Sequence, residues 1–347
     1  MTKPWSRREP KRSVLCWRWL PLLVLLACSR IVAASDDFAE FLLGIKQQAL
    51  SQGVRELTID QAFRDLTPDP RVLVSDQKQP EFVQTFEAYL SARVTPSRVE
   101  KAREYFQQNR QLLKLIGAKY QVDPQYLIAF WGLESNFGRY QGKYEVVRSL
   151  ATLAHDPRRS RFFTAELLAA LKILDEGHVP LADFLGGWAG AMGQNQFMPS
   201  SFLNFAQDFN GDGRKNIWGD QKDVWASIAY YLQKAQWREG ESWGLPVDIS
   251  DSVDFEQLMP ESAADGCRAL RSHTRELSLS EWAELGVKPR VIKRDKQQRF
   301  ALVLPEPKAT VGYLVGPNFG SILRYNCANK YAVSIGLLAD LIVADPE

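Results

Sequence analysis

The chain has 347 residues, with 43 Lys and Arg against 41 Asp and Glu, a formal net charge of +2. The charge is uneven: residues 1–34 hold seven bases and one acid, so the rest carries 36 bases and 40 acids, net −4. A mildly acidic body argues against a nucleic-acid protein, which needs a basic face, and 45% hydrophobic with 24% charged residues excludes a disordered or fibrous chain.

The first 34 residues have the parts of a secretory leader. A basic stretch reaches Arg18, and a short apolar run follows from Trp19 to Ala27. That run is shorter than the roughly 20 apolar residues a spanning helix needs. Two processing sites compete. Leu25-Leu-Ala-Cys28 resembles a lipobox, with Cys28 as the lipidated residue, and Val32-Ala-Ala34 fits a small-residue cleavage site. The first gives a lipoprotein, the second a soluble periplasmic form. Cys28 directly ends the apolar core, which favours the lipoprotein. Cleavage there leaves 37 bases and 40 acids.

Helical spacing then dominates to about residue 240. It appears in Phe38, Phe41, Leu42, Ile45 and Leu50, and in Phe82, Phe86, Tyr89 and Leu90. Thr95-Pro96 and Asp123-Pro124 read as helix starts. Ser160 reads as the cap of a helix carrying Phe163, Leu167, Leu171 and Leu174, with Gly177 as its stop. Residues 223–236 form another predicted helix. From about Trp243 the runs shorten and become strand-like, as in Phe300–Leu304 and Gly312–Val315. Leu277–Leu285 reads as a short helix, and Tyr331–Val343 returns to helix.

The predicted class is α+β, mainly α. The predicted domains are a leader (1–34), an N-terminal helical domain (35–115), a catalytic core (116–242), a small mixed subdomain (243–322) and a returning C-terminal segment (323–347). Cys267 and Cys327 form an even pair for an oxidising compartment, so either a disulfide or two buried thiols fits.

Asp208-Phe-Asn210-Gly-Asp212-Gly213 matches the opening of an EF-hand loop. Alternating side-chain oxygens suit a hard cation, the Arg214 carbonyl takes the next position, and Asp223 could close the set. Calcium is the expected ion, with sodium as a substitute, in a structural role. The twelfth position is Gly219 rather than the usual Glu. A polar turn between helices is the competing reading.

Leu127-Ile-Ala-Phe-Trp-Gly-Leu-Glu134 places a lone acid after seven uncharged residues, and Ser135-Asn136 with Gly138 end the helix. Apolar surroundings and a helix C-terminus both favour the protonated carboxyl, the form a general acid needs. An ordinary surface Glu is the competing reading. The run Ala189-Gly-Ala-Met-Gly-Gln-Asn-Gln196-Phe-Met-Pro-Ser-Ser201 is rich in small residues that let a ligand approach the backbone, and Gln196 adds an amide.

Taken together, these segments resemble the lytic murein transglycosylase B family. The markers are Gln79-Pro-Glu-Phe82, Gly132–Gly138, Ser149–Leu153, Pro157-Arg-Arg159 with Phe162-Phe163, Ala189–Gly193, Gln196–Ser200, the acidic loop, Gly316-Pro-Asn-Phe319 and Arg324-Tyr-Asn326. The resemblance implies a lysozyme-like helical core with an EF-hand-like loop and a small mixed subdomain. It implies cleavage of the β-1,4 bond between N-acetylmuramic acid and N-acetylglucosamine without water, giving a 1,6-anhydro product. Glu134 would be the single acid/base. Tyr89, Arg158, Arg159, Gln196, Phe197, Tyr231, Tyr325 and Tyr331 would fall in the substrate groove, with Tyr325 and Gln196 nearest Glu134. The implied partners are peptidoglycan strands, with cell-wall synthesis or division proteins carrying no visible motif. A monomer anchored to the outer membrane, facing the periplasm, is expected. One departure is Gly187, where the family commonly has Ser, implicated in orienting the substrate acetamido group. A hydrolytic muramidase and a non-catalytic peptidoglycan-binding protein are the alternatives.

Overall fold

The computed structural model describes residues 37–77, 84–261, 266–290, 298–307 and 309–344. The leader with Cys28 and the whole Gln79–Phe82 segment lie outside the described residues. The chain opens with α1 (37–51), α2 (Glu56–Phe63), α3 (Pro70–Gln77), α4 (Phe86–Arg93), α5 (Pro96–Gln108), α6 (Arg110–Tyr120) and α7 (Pro124–Ser135). It continues with β1 (Tyr144–Glu145), α8 (Val146–His155), α9 (Ser160–Asp175), β2 (Leu185–Gly186), α10 (Pro199–Phe205) and α11 (Gln221–Lys234). Then come β3 (Gly244–Ile249), β4 (Leu277–Ser278), α12 (Leu279–Glu284), β5 (Val287–Pro289), β6 (Arg299–Val303) and β7 (Val311–Val315). The helices α13 (Pro317–Tyr325) and α14 (Asn329–Val343) close the chain.

Several starts follow local chemistry. Thr95 Oγ1 accepts the Arg98 N–H at 3.2 Å, with Pro96 supplying a preset φ at the first helical position. Asp123 precedes α7, but its carboxylate does not cap; it accepts the Trp237 indole N–H at 2.9 Å instead. Ser160 is not the cap expected of it. It is the first residue of α9, after Arg159, which makes no side-chain capping bond. The predicted helix at Leu277–Leu285 is partly strand. Ser278 and Glu281 form a reciprocal capping box, and α12 begins only at Leu279.

Apolar packing divides the helices into two groups. One joins α4–α7 with α11, α13 and α14; the other joins α1–α3 with α8–α10. Residues 37–77 therefore pack with α8–α10, whereas α4–α6 pack with α7. The 115/116 division drawn from the sequence falls inside α6, and the 322/323 division falls inside α13. Helix α7 is apolar on all sides, with Tyr126 through Gly132 buried, as a central helix must be. Tyr325 packs against both groups and so marks the seam between them.

The five-stranded antiparallel sheet runs β4-β6-β7-β3-β5. Its side chains alternate between two cores. Ala301, Val303, Tyr313 and Val315 pack into the α7 group, while Phe300, Leu302 and Leu314 join Leu245 and Trp282 in a separate cluster. Burial on both faces explains why these strands read as continuous apolar runs. Cys267 and Cys327 are bonded, with Cα atoms 5.5 Å apart and 60 residues of sequence separation. By chain entropy such a crosslink stabilises by roughly 4 kcal/mol. It ties the sheet subdomain to the turn between α13 and α14.

Candidate active site

Glu134 sits in the last turn of α7, half-buried at the seam of the two helical groups. The helix stops there because Asn136, Phe137 and Gly138 adopt left-handed φ values of 50°, 61° and 80° in succession. From α14, nearly 200 residues later in sequence, the Tyr331 hydroxyl donates to Glu134 Oε1 at 2.5 Å. Tyr331 is itself buried.

Four aromatic rings gather alongside. Tyr325, the last residue of α13, packs against Phe130 at 4.8 Å, Tyr231 at 4.7 Å and Phe197 at 5.6 Å between centroids. Its hydroxyl donates to the Asn195 carbonyl at 2.6 Å, and that of Tyr231 donates to the Arg324 carbonyl at 2.6 Å. Burial pushes the Tyr325 and Tyr331 phenols well above their ordinary range, and the nearby Glu134 charge adds to this. Both therefore stay neutral donors across physiological pH. Tyr89 is buried with the Arg93 guanidinium 4.6 Å from its ring centroid, and it lies near enough to Tyr331 to add a little to the rise of that phenol.

The small-residue run meets this aromatic group through Asn195, whose carbonyl accepts the Tyr325 hydroxyl, and through Phe197. Gln196 holds a left-handed φ of 49°, uncommon for a side-chain-bearing residue and characteristic of functional positions. Its Nε2 donates to the carbonyls of Gly193 at 2.8 Å and Gln141 at 3.3 Å. Two carbonyl acceptors fix the sense of the amide, so Oε1 is the end presented to Gly187. A Cβ built on Gly187 lies 3.7 Å from that oxygen.

The groove residues read from the sequence thus separate. Tyr89, Gln196, Phe197, Tyr231, Tyr325 and Tyr331 converge around Glu134 or its neighbours. Arg158 and Arg159 lie at the start of α9, where their polar partners are acids. Arg158 clasps Asp156 at 2.6 Å and reaches Asp76 at 3.4 Å, and Arg159 meets Asp76 at 2.7 Å. Sequence reading missed Phe130, Gln194 and Asn195. Gln194 accepts the Trp131 indole N–H at 2.6 Å and donates to the Trp218 carbonyl at 2.9 Å, and Asn195 donates to the Val224 carbonyl at 2.9 Å. Buried amides flanking Gln196 were the available signal.

The acidic loop is closed on itself. Asp208 accepts the N–H groups of Gly211 at 2.7 Å, Asp212 at 3.2 Å and Gly213 at 2.8 Å. Asp212 Oδ1 accepts the Arg214 N–H at 2.8 Å. Asp223, the residue expected to close the set, is buried in the first turn of α11. Its two oxygens accept the Phe209 and Asn216 N–H groups, both at 2.8 Å, and so staple the loop's ends together. Asp220 instead reaches the loop side chains, accepting from Asn210 Nδ2 at 2.8 Å. Among the described residues no group of three His, Cys, Asp or Glu side chains converges as a metal set. The donors at Asp208, Asn210, Asp212 and the Arg214 carbonyl are all oxygens, which fits a hard cation.

The match to known proteins follows this architecture. The chain belongs to the transglycosylase SLT domain family, whose model matches residues 37–340. Membrane-bound lytic murein transglycosylase B of Escherichia coli (strain K12) is 32% identical over 251 residues, which are 72% of this chain and 65% of that relative's length. SltB3 of Pseudomonas aeruginosa, solved in complex with NAG-anhNAM-pentapeptide, superposes with a TM-score of 0.79 at 38% identity, covering 87% of this chain and 78% of that one. The Escherichia coli lytic transglycosylase Slt35, solved in complex with calcium, gives a TM-score of 0.69 at 28% identity, covering 88% of this chain and 92% of that one. Among the described residues no helix is long and apolar enough to cross a membrane.

Proposed function

We propose that the protein cleaves the β-1,4 bond between N-acetylmuramic acid and N-acetylglucosamine in peptidoglycan without adding water. Glu134 gives its proton to the departing glycosidic oxygen, then takes the proton of the muramoyl 6-hydroxyl as that oxygen bonds to the anomeric carbon. The product ends in a 1,6-anhydro ring, and Glu134 regains its starting state. The substrate's 2-acetamido carbonyl supports the anomeric carbon between these steps, as in substrate-assisted glycosidases. The observation that carries the reading is the Tyr331–Glu134 hydrogen bond at the seam of two helical groups, because it fixes one carboxylate in a cleft of neutral phenols.

The remaining roles follow from geometry. Gln196 Oε1 is an acceptor suited to the acetamido N–H, leaving the acetamido carbonyl to face the anomeric carbon. The half-buried rings of Tyr325 and Tyr231 supply apolar faces for sugars, with the buried rings of Phe197 and Tyr89 backing the site from the core. Arg158 and Arg159, with side chains 58% and 42% exposed, keep surface free for the carboxylates of peptide stems beyond their pairs with Asp156 and Asp76. A calcium or sodium ion in the acidic loop would be held by Asp208, Asn210, Asp212 and the Arg214 carbonyl, with Asp223 as the closing carboxylate and Asp220 beside the set through Asn210. Its role there is to staple α11 to the α10 end. Attachment through Cys28 on the periplasmic side of the outer membrane completes the reading.

The test is digestion of purified sacculi by wild type and Glu134→Gln, with mass analysis of the released muropeptides. Wild type yields products lighter by one water than a hydrolase gives, and Glu134→Gln loses about 10²–10⁴-fold in rate. Hydrated products from wild type overturn the transglycosylase reading, and full activity in Glu134→Gln overturns the residue assignment.

A further inference from the structure

The loop that leaves α7 directly after Glu134 is held at several points. Ser135 Oγ accepts the Gly138 N–H at 3.0 Å, and the Ser135 carbonyl accepts the Tyr140 N–H at 2.8 Å. Gln141 Nε2 donates to the carbonyls of Gly138 and Trp218, both at 3.2 Å. Gly142, at φ 97°, presses so closely on β2 that a Cβ there would lie 1.9 Å from the Gly186 carbonyl oxygen. Phe137 is buried and anchors the loop's start in the core. The backbone therefore has little freedom between Asn136 and Gly142.

From this fixed loop Tyr140 stands 61% exposed. The guanidinium of the exposed Arg139 lies 5.7 Å from its ring centroid. Among the described residues neither side chain makes a hydrogen bond or ion pair. A large aromatic ring in water on a pre-ordered loop forgoes burial, while the ordering entropy of a binding surface has already been met in folding. The place is also specific. Gln141, the next residue, offers its carbonyl to Gln196, and Asn195 beside Gln196 accepts the Tyr325 hydroxyl. The loop thus continues the Gln196 wall outward from Glu134.

We infer that Tyr140 and Arg139 form an outer subsite for the glycan strand, beyond the sugars at the scissile bond. Tyr140 stacks on the apolar face of a hexosamine ring, and Arg139 pairs with a carboxylate carried by that strand. This inference rests on the peptidoglycan reading above and extends it to strand length.

The experiment compares kcat/KM for long uncrosslinked glycan strands with that for a tetrasaccharide, in wild type, Tyr140→Ala, Tyr140→Phe and Arg139→Gln. The expected result is a fall in the long-to-short ratio of roughly five- to tenfold for Tyr140→Ala, carried by KM, and a smaller fall for Arg139→Gln. Tyr140→Phe keeps the wild-type ratio, because the ring remains. An unchanged ratio in Tyr140→Ala overturns the inference. Co-sedimentation with sacculi, each substitution placed in Glu134→Gln, separates this inference from the catalytic reading. Weaker retention of Tyr140→Ala supports the subsite whatever the products of wild type prove to be, and equal retention overturns it. Unfolding midpoints equal to wild type exclude a folding defect as the cause.

Discussion

Replacing Gly187 by Ser tests the geometry of the Gln196 wall. Gly187 does not hold a left-handed φ, so a side chain there brings no backbone strain. An added Cβ meets Gln196 Oε1 at 3.7 Å, the Ala191 carbonyl oxygen at 3.8 Å and Ala191 Cβ at 3.9 Å, all ordinary contacts. The hydroxyl, one bond further, falls within hydrogen-bonding reach of Gln196 Oε1 or of an acetamido group bound beside it. One such bond contributes about 1 kcal/mol net, or about fivefold in kcat/KM. Loss of glycine freedom in the unfolded chain adds roughly 0.4–1 kcal/mol of stability. Gly187→Ser is therefore expected to release anhydro-muropeptides about fivefold faster per unit enzyme at low substrate, with an unfolding midpoint equal to wild type or slightly higher. Two results refute the reasoning in different places. A lowered midpoint shows that position 187 needs glycine after all. An undiminished midpoint without a gain in kcat/KM shows that a hydroxyl here does not reach the substrate.

Two further outcomes are expected. Treatment with a chelator lowers the unfolding midpoint of the full chain, added calcium restores it, and Asp208→Ala abolishes the response; a midpoint indifferent to both reagents refutes an ion in the acidic loop. His273 is buried, with Nε2 2.9 Å from Asn329 Oδ1, and desolvation holds its pKa below 6.5 despite that acceptor. Since the unfolded chain takes up this proton more readily, the stability tied to neutral His273 is present above about pH 6.5 and is lost as pH falls through and below that value. Denaturant midpoints at pH 7.5 and pH 5.0 should differ more in wild type than in His273→Gln, and equal differences would count against the assignment.

The sequence by itself determined what depends on near neighbours in the chain. Pro96, Pro124 and Pro199 start helices because their φ is preset. Glu134 ends an apolar helix because polar residues and a glycine follow it, and that pattern was readable without coordinates. The acidic loop was readable too, since alternation of Asp and Asn with glycine is local. The family pattern added which aromatic residues to watch. Tertiary structure decided how these residues are used. Nothing near Tyr331 distinguishes a core phenol from one that grips a carboxylate nearly 200 residues earlier; the packing of α14 on α7 does. Asp223 read only as a closing carboxylate for the loop, and the fold alone showed its two oxygens accepting backbone N–H groups. The resemblance marked Arg158 and Arg159 as groove residues, and only the fold brought Asp76, from a separate helix, beside them. Caps, turns and helix ends are encoded within a few residues, whereas a side chain's partner is set by long-range burial, which assembles groups that no local spacing connects.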